Sequence, residues 1–159
     1  MKSIVTYFSA TGSTKRLAEN LAKAVDADIF EIVPEKSYSS QDLNWNDSRS
    51  RTSLEAKDKD IRPAIKNKLS DIDKYEVIFL GFPIWWYTAP KIINTFLESY
   101  DLKDKTVVLF ATSGGSGLGN TKNDLQKSCD QSTKIISWRV LHSNQSVDSL
   151  RDLVKELKL

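Results

Sequence analysis

Cysteine and histidine are almost missing from this chain, in which Cys129 and His142 are the only residues of their types. One cysteine excludes an internal disulfide and a zinc site built from thiolates, and it suits a reducing compartment in which the thiol is partly buried and structural. One histidine excludes a His-rich metal site and leaves a single candidate base, which we interpret as an ordinary loop or strand residue. We therefore predict no metal site.

Long apolar runs and excess charge are missing as well. No run approaches the roughly 20 residues of a membrane-spanning helix, and the first residues lack the apolar core and the cleavage site of a signal peptide. The formal net charge is +2, from 23 basic and 21 acidic side chains, without a run of basic residues. These features predict a cytoplasmic protein that binds neither nucleic acids nor membranes.

The 159 residues fit a single domain spanning 1–159, which is long enough to bury roughly 70% of the surface of its unfolded chain. Four segments are continuous apolar, β-branched runs, which are typical of parallel strands covered on both faces, and a fifth strand is predicted near the C-terminus. The predicted strands are Ser3–Phe8, Asp28–Val33, Tyr75–Phe82, Thr106–Ala111 and one within Thr133–Leu141.

Helical patterns lie between the strands. Strands that alternate with helices indicate βαβ units. They predict a three-layer α/β fold, in which a doubly wound, five-stranded parallel sheet lies between two layers of helices. The predicted helices are the segment with Leu17, Ala18, Leu21, Ala22 and Val25 at helical spacing, a short helix that Pro63 opens and that runs to Leu69, and the segments Ala89–Ser99, Asn120–Cys129 and Ser146–Leu157.

The polar segment Pro34–Asp60 is too long for a simple connection between two elements. Its larger side chains, which are able to pin it to the rest of the domain, are Tyr38, Leu43, Trp45 and Leu54. Two interpretations stay open. The segment is either an ordered but passive excursion or a flap over a ligand.

Three unusual loops leave the carboxyl ends of the predicted strands, where ligands bind in a doubly wound sheet. The first loop, Ser9–Thr14, joins a strand to a helix, whose N-terminus offers free N–H groups and the positive end of a dipole. The loop has no carboxylate, and it contains four hydroxyl residues and one glycine, namely Ser9, Thr11, Ser13, Thr14 and Gly12. This composition predicts phosphate binding, and the alternative is a Ser/Thr helix cap without a ligand.

The other two loops differ in character. Pro83–Thr88 places two tryptophans and a tyrosine together, which predicts stacking on a planar ring; core packing and a protein–protein contact are the alternatives. Thr112–Gly119 has four glycines among its eight residues, so that backbone amides and hydroxyls can approach a ligand closely; a flexible connection is the alternative. Together the three loops predict a site for a phosphorylated planar ring compound.

The three loops resemble the FMN-binding loops of flavodoxins. Tyr7–Thr14 (YFSATGST) resembles the S/T-x-T-G-x-T phosphate loop of the family, and Gly81–Pro90 (GFPIWWYTAP) and Ala111–Gly117 (ATSGGSG) resemble the second and third loops of bacterial flavodoxin-like proteins. The resemblance implies strand order 2-1-3-4-5 and FMN bound without a covalent link. The implied cofactor-binding residues are Ser9, Thr11, Gly12, Ser13 and Thr14 at the phosphate, Pro83, Ile84, Trp85, Trp86 and Tyr87 beside the isoalloxazine, with Trp85 or Trp86 stacking on it, and Thr112, Ser113, Gly114, Gly115 and Gly117 at the polar edge of the ring.

The resemblance also implies a function: a monomeric carrier that moves one or two electrons on FMN between a reductase and an acceptor enzyme, without a catalytic side chain. The alternatives are an NAD(P)H-dependent quinone or flavin-type oxidoreductase and a flavin-dependent regulatory or binding module. The chain departs from the family in two ways. Flavodoxins are typically strongly acidic, which helps them dock on basic reductases, and many have a glycine in the second loop, whereas Pro83–Thr88 has none.

Overall fold

Five parallel strands form the centre of the computed structural model, which describes residues 2–159. They are β1 (Ser3–Tyr7), β2 (Asp28–Glu31), β3 (Val77–Pro83), β4 (Thr106–Thr112) and β5 (Lys134–Val140). The order across the sheet is β2-β1-β3-β4-β5, and all neighbouring strands are parallel. β3 and β4 are buried along nearly their whole length, as their unbroken apolar runs predict. The predicted fold class and the strand order are therefore confirmed.

Helices cover both faces of the sheet. They are α1 (Ser13–Val25), α2 (Arg51–Lys57), α3 (Lys91–Glu98), α4 (Thr121–Gln126) and α5 (Val147–Val154), with single 3₁₀ turns at Ile72–Lys74 and Lys155–Leu157. Leu17 of α1 and Leu150 of α5 belong to the core on one face, and Ile92 and Phe96 of α3 belong to the core on the other. Among the helices of residues 2–159, none combines the length and the apolar character that crossing a membrane requires.

The prediction of a helix from Pro63 to Leu69 is wrong. The segment lies against the chain that leaves β2, where Ile65 forms an antiparallel bridge with Pro34. The N–H of Lys66 donates to the carbonyl of Val33 at 2.7 Å. These distant partners satisfy backbone groups that a helix would satisfy locally, so tertiary pairing overrides the helical preference of the segment.

Helix α2 lies inside the polar segment Pro34–Asp60, where the sequence predicts no helix. The hydroxyl of Ser50 caps its first turn by accepting a hydrogen bond from the N–H of Ser53. The buried residues of α2 are Thr52, Ser53 and Glu55. Because this buried face is polar, the apolar periodicity that identifies a helix in a sequence is absent.

Candidate functional site

The three loops meet beyond the carboxyl ends of β1, β3 and β4 and border a cavity of about 440 Å³, which falls within the roughly 300–1,000 Å³ of small-molecule sites. The predicted site residues that line it are Thr11, Thr14, Pro83, Ile84, Trp85, Trp86, Tyr87 and Thr112. The lining residues that the prediction missed are Ala10, Leu43, Trp45, Thr52 and Ser116. Neither set contains a charged side chain.

A second, polar cavity of about 350 Å³ adjoins the first, because Thr11 and Thr112 line both. The predicted residues in its wall are Thr11, Ser13, Pro83, Ile84, Thr112, Ser113 and Gly114, and His142 joins them from the loop after β5. Four predicted residues line neither of these two cavities: Ser9, Gly12, Gly115 and Gly117. The third loop therefore faces the second cavity more than the first.

The turn between β1 and α1 leaves the helix N-terminus uncapped. Gly12 occupies the cap position at φ 97°, a conformation that favours glycine, and no side chain caps α1. The Ser9 hydroxyl closes the turn instead, by accepting the N–H of Gly12 at 3.0 Å. The alternative of a Ser/Thr cap is therefore wrong for α1, because no side chain caps its first turn.

A buried hydrogen bond joins the first loop to the third. The Oγ1 atoms of Thr14 and Thr112 lie 2.8 Å apart, and both side chains are buried. Since a hydroxyl has one proton and two lone pairs, each threonine keeps capacity for a ligand while the other holds it in place. This contact connects the end of β4 to the first turn of α1.

Trp85–Thr88 form a tight turn with two reciprocal hydrogen bonds. The N–H of Trp85 donates to the carbonyl of Thr88 at 2.9 Å, and the N–H of Thr88 donates back at 3.2 Å. The central residues, Trp86 and Tyr87, have φ values of 55° and 67°. Asn and Gly normally occupy such positions, and each aromatic residue costs roughly 1–2 kcal/mol there. Strain of this kind concentrates at functional sites.

The two tryptophans of this turn have different surroundings. The Trp85 ring packs edge-on against Phe8 and Tyr38, with centroid distances of 5.5 and 5.3 Å. Trp86 is 44% exposed and Tyr87 is 77% exposed, although both line the cavity. Trp85 is therefore part of the wall, whereas Trp86 is the tryptophan that has more surface free for stacking.

The segment Pro34–Asp60 supplies a second wall of the cavity through Leu43, Trp45 and Thr52. This position favours the interpretation of the segment as a flap over a ligand. Leu43 and Trp45 are isolated apolar residues in a polar stretch. This isolation is the one feature of the sequence that distinguishes Leu43 and Trp45, and it does not predict which residues they contact.

A buried polar cluster holds this wall against the Trp85 ring. The Tyr38 hydroxyl donates to Glu55 Oε1 at 2.7 Å, and Arg51 Nε donates to Glu55 Oε2 at 2.9 Å. The Arg51 guanidinium lies 3.7 Å from the centre of the Tyr38 ring, within cation–π range. Burial, and then the Glu55 carboxylate, raise the pKa of Tyr38 well above its ordinary value.

The donor set of the site fits a phosphate attached to a planar ring. Hydroxyl side chains of the first loop and the aromatic side chains of Trp85–Tyr87 line the same cavity, and the first loop leads into the uncapped N-terminus of α1. Within residues 2–159, no group of three or more His, Cys, Asp or Glu side chains could hold a metal ion. Cys129 lies away from the cavity; it is partly buried, and burial raises its pKa to about 11.

Comparisons with known proteins agree with this geometry. A family model described as Flavodoxin matches residues 2–157. A provisionally named flavoprotein from Bacteroides eggerthii is 46% identical, with a TM-score of 0.89 over 99% of this chain and 98% of that one. A second, from Bacteroides uniformis, is 42% identical, with a TM-score of 0.85 over 97% of each chain.

A more distant flavoprotein, from Lactobacillus acidophilus and solved in complex with FMN, shares the fold. It is 22% identical, with a TM-score of 0.68 over 94% of this chain and 97% of that one. No curated protein matches the chain.

Proposed function

This chain belongs to the flavodoxin family, and we propose that it carries one or two electrons on non-covalently bound FMN between a reductase and acceptor enzymes. The observation that carries the proposal is the exposed aromatic rim of the cavity. Trp45, Trp86 and Tyr87 are 69%, 44% and 77% exposed, and all three line the cavity. A rim of this kind offers an apolar surface on which a partner protein can dock close to the flavin.

The turn Ser9–Thr14, which we call the phosphate turn, holds the FMN phosphate. Hydroxyls of Thr11, Ser13 and Thr14 and the uncapped N–H groups of α1 supply the hydrogen bonds, and the helix dipole adds favourable charge. The Thr14–Thr112 contact keeps one of these hydroxyls in position. The Ser9–Thr14 turn contains no lysine, and the phosphate serves as a fixed handle.

The turn Trp85–Thr88, which we call the aromatic turn, and the wall formed by Pro34–Asp60 hold the isoalloxazine. Trp86 would stack on the ring, Trp85 would stay in the wall through its packing on Phe8 and Tyr38, and Leu43 and Trp45 would shield the ring from water. The loop Thr112–Gly117 contacts the polar edge of the ring. FMN supplies the redox chemistry when bound, and the protein adjusts it through stacking, hydrogen bonds and nearby charge.

One anaerobic experiment separates the carrier from the alternative, an NAD(P)H-dependent quinone or flavin-type oxidoreductase. The FMN-loaded protein is mixed with NADPH and a quinone while the flavin absorbance is followed. A carrier bleaches only after a separate flavodoxin reductase is added. Rapid bleaching by NADPH alone, with turnover of the quinone, contradicts the carrier proposal. Reduction by dithionite is the control that the bound FMN is competent.

We also propose that the protein works as a monomer. Light scattering of the FMN-loaded protein tests this point. A dimeric mass that persists on dilution, with weaker FMN binding in the monomer, contradicts it.

A further inference from the structure

A third cavity, of about 390 Å³, borders the end of the aromatic turn at Thr88, and four of its lining residues are cations: Lys59, Arg62, Lys91 and Lys127. We call it the basic groove. It is continuous with the turn, because Ala89 and Lys91 line both the groove and a narrow crevice beneath Trp85 and Trp86.

The cations of the basic groove are mostly free to bind a partner. Lys59, Lys91 and Lys127 form no ion pair with any residue in 2–159, whereas Arg62 pairs with Glu98 at 2.9 Å.

Two carboxylates, Asp60 and Asp124, also line the groove. Asp124 already accepts a hydrogen bond from the Thr88 hydroxyl at 2.6 Å. With Arg62 paired to Glu98, the groove has three unpaired lysines against these two carboxylates, which leaves it a net charge of +1.

We propose that the basic groove and the adjoining rim of Trp86 and Tyr87 form the docking surface for an acidic redox partner protein. The proposal rests on the carrier function proposed above. It reverses the polarity that is typical of flavodoxins, whose acidic surfaces dock on basic reductases.

An acidic protein satisfies both halves of this surface. Its carboxylates reach the lysines, while an apolar patch around its redox centre covers the exposed aromatic rim; a free phosphate would satisfy the groove alone. Complementary charge raises association rates by roughly 10- to 1,000-fold and acts mainly on specificity and encounter. In the complex one electron passes from the reduced partner to the bound FMN, and no covalent bond forms or breaks.

The test compares two triple variants of the FMN-loaded protein. The groove variant is Lys59→Glu, Lys91→Glu and Lys127→Glu; the control variant is Lys23→Glu, Lys103→Glu and Lys134→Glu, at exposed positions near the amino-terminal ends of the strands. Each triple lowers the net charge by six, from +2, so the effect of total charge is the same in both. Dissociation constants for FMN check that the cofactor site is intact in each.

The probe is a reduced plant-type [2Fe–2S] ferredoxin, an acidic one-electron donor, mixed anaerobically with each protein in a stopped-flow instrument. We expect the groove variant to lower the second-order rate constant roughly tenfold more than the control variant at low salt. This difference should disappear at about 1 M salt, where the screening length falls to roughly 3 Å. Isothermal titration with oxidised ferredoxin should show the same order of affinities.

Equal losses in the two variants, or no loss in either, would overturn the groove as the docking surface while leaving the carrier function standing. A wild-type protein that binds FMN but exchanges no electrons, either with ferredoxin or with the basic protein cytochrome c, would overturn both proposals. Exchange with cytochrome c alone would leave the carrier function standing and reject an acidic partner.

Discussion

The two walls of the flavin cavity are built in different ways. The phosphate wall consists of consecutive residues, Ser9–Thr14, between a strand and a helix, and one local hydrogen bond from Gly12 to Ser9 closes its turn. The second wall is formed by Pro34–Asp60, and the cluster of Tyr38, Arg51 and Glu55 holds it in place. The difference teaches that the turn proposed to hold the phosphate is a local structure, whereas the wall formed by Pro34–Asp60 depends on tertiary contacts.

The largest effect is expected at the phosphate wall. Replacing Thr11 and Thr14 by Val should weaken FMN binding roughly 100-fold, because each hydroxyl bond to a charged group contributes about 1.5 kcal/mol. Riboflavin lacks the phosphate, so its affinity should change far less. Fluorescence titration of both ligands measures the contrast, with Thr95→Val on α3 as the control. An equal loss for the two ligands would refute phosphate binding by this turn.

The second-largest effect is expected at the wall formed by Pro34–Asp60. Glu55→Gln removes the charge that Arg51 and Tyr38 share, so a largely buried guanidinium loses its carboxylate, and the free energy of unfolding in urea should fall by about 2 kcal/mol. FMN and riboflavin should weaken equally, unlike the effect at the phosphate wall.

A matched control exists at the surface. Glu156→Gln removes the carboxylate of the exposed ion pair with Arg139, and it should leave the stability nearly unchanged. If the two glutamine variants behave alike, the Tyr38–Arg51–Glu55 cluster does not hold the wall.

Alkaline pH should loosen the same wall. Tyr38 has its pKa raised above the ordinary 10.0 in the folded protein, so its stabilising effect is full below pH 10 and is lost as the pH rises toward the folded value. Between pH 9 and pH 11 the wild-type protein should lose about 1 kcal/mol more than Tyr38→Phe. The pKa values of Tyr7 and Tyr75 are also raised, to about 12, but they affect both proteins equally. Parallel stability curves would contradict the expectation.

The smallest effect is expected at the rim. Trp45→Ala should leave stability nearly unchanged, because the side chain is 69% exposed. It should weaken FMN and riboflavin alike by about threefold, since it removes apolar surface from the ring side of the cavity. Leu54→Ala is the control in the same segment, because Leu54 is exposed and does not line the cavity. Loss of FMN binding alone would place Trp45 at the phosphate instead.

Sequence patterns predicted the sheet and most helices because their periodicity is local. The unbroken apolar runs of β3 and β4 report burial on both faces, and the stripe around Leu17 and Leu21 reports one covered face of α1. Patterns failed where a distant partner decided the structure. Residues 63–69 form no helix because they bond to the chain after β2, and α2 was not predicted because its buried face is polar.

The sequence by itself determined the α/β fold and the places of three loops, since composition and spacing carry that information along the chain. It also determined that hydroxyl residues fill the Ser9–Thr14 turn. Only the tertiary structure decided which tryptophan is free to stack, because Phe8 and Tyr38 pack on Trp85 from distant parts of the chain. It also decided that Pro34–Asp60 encloses the cavity, since the contacts that place the segment are long-range and leave no periodic signal in the sequence.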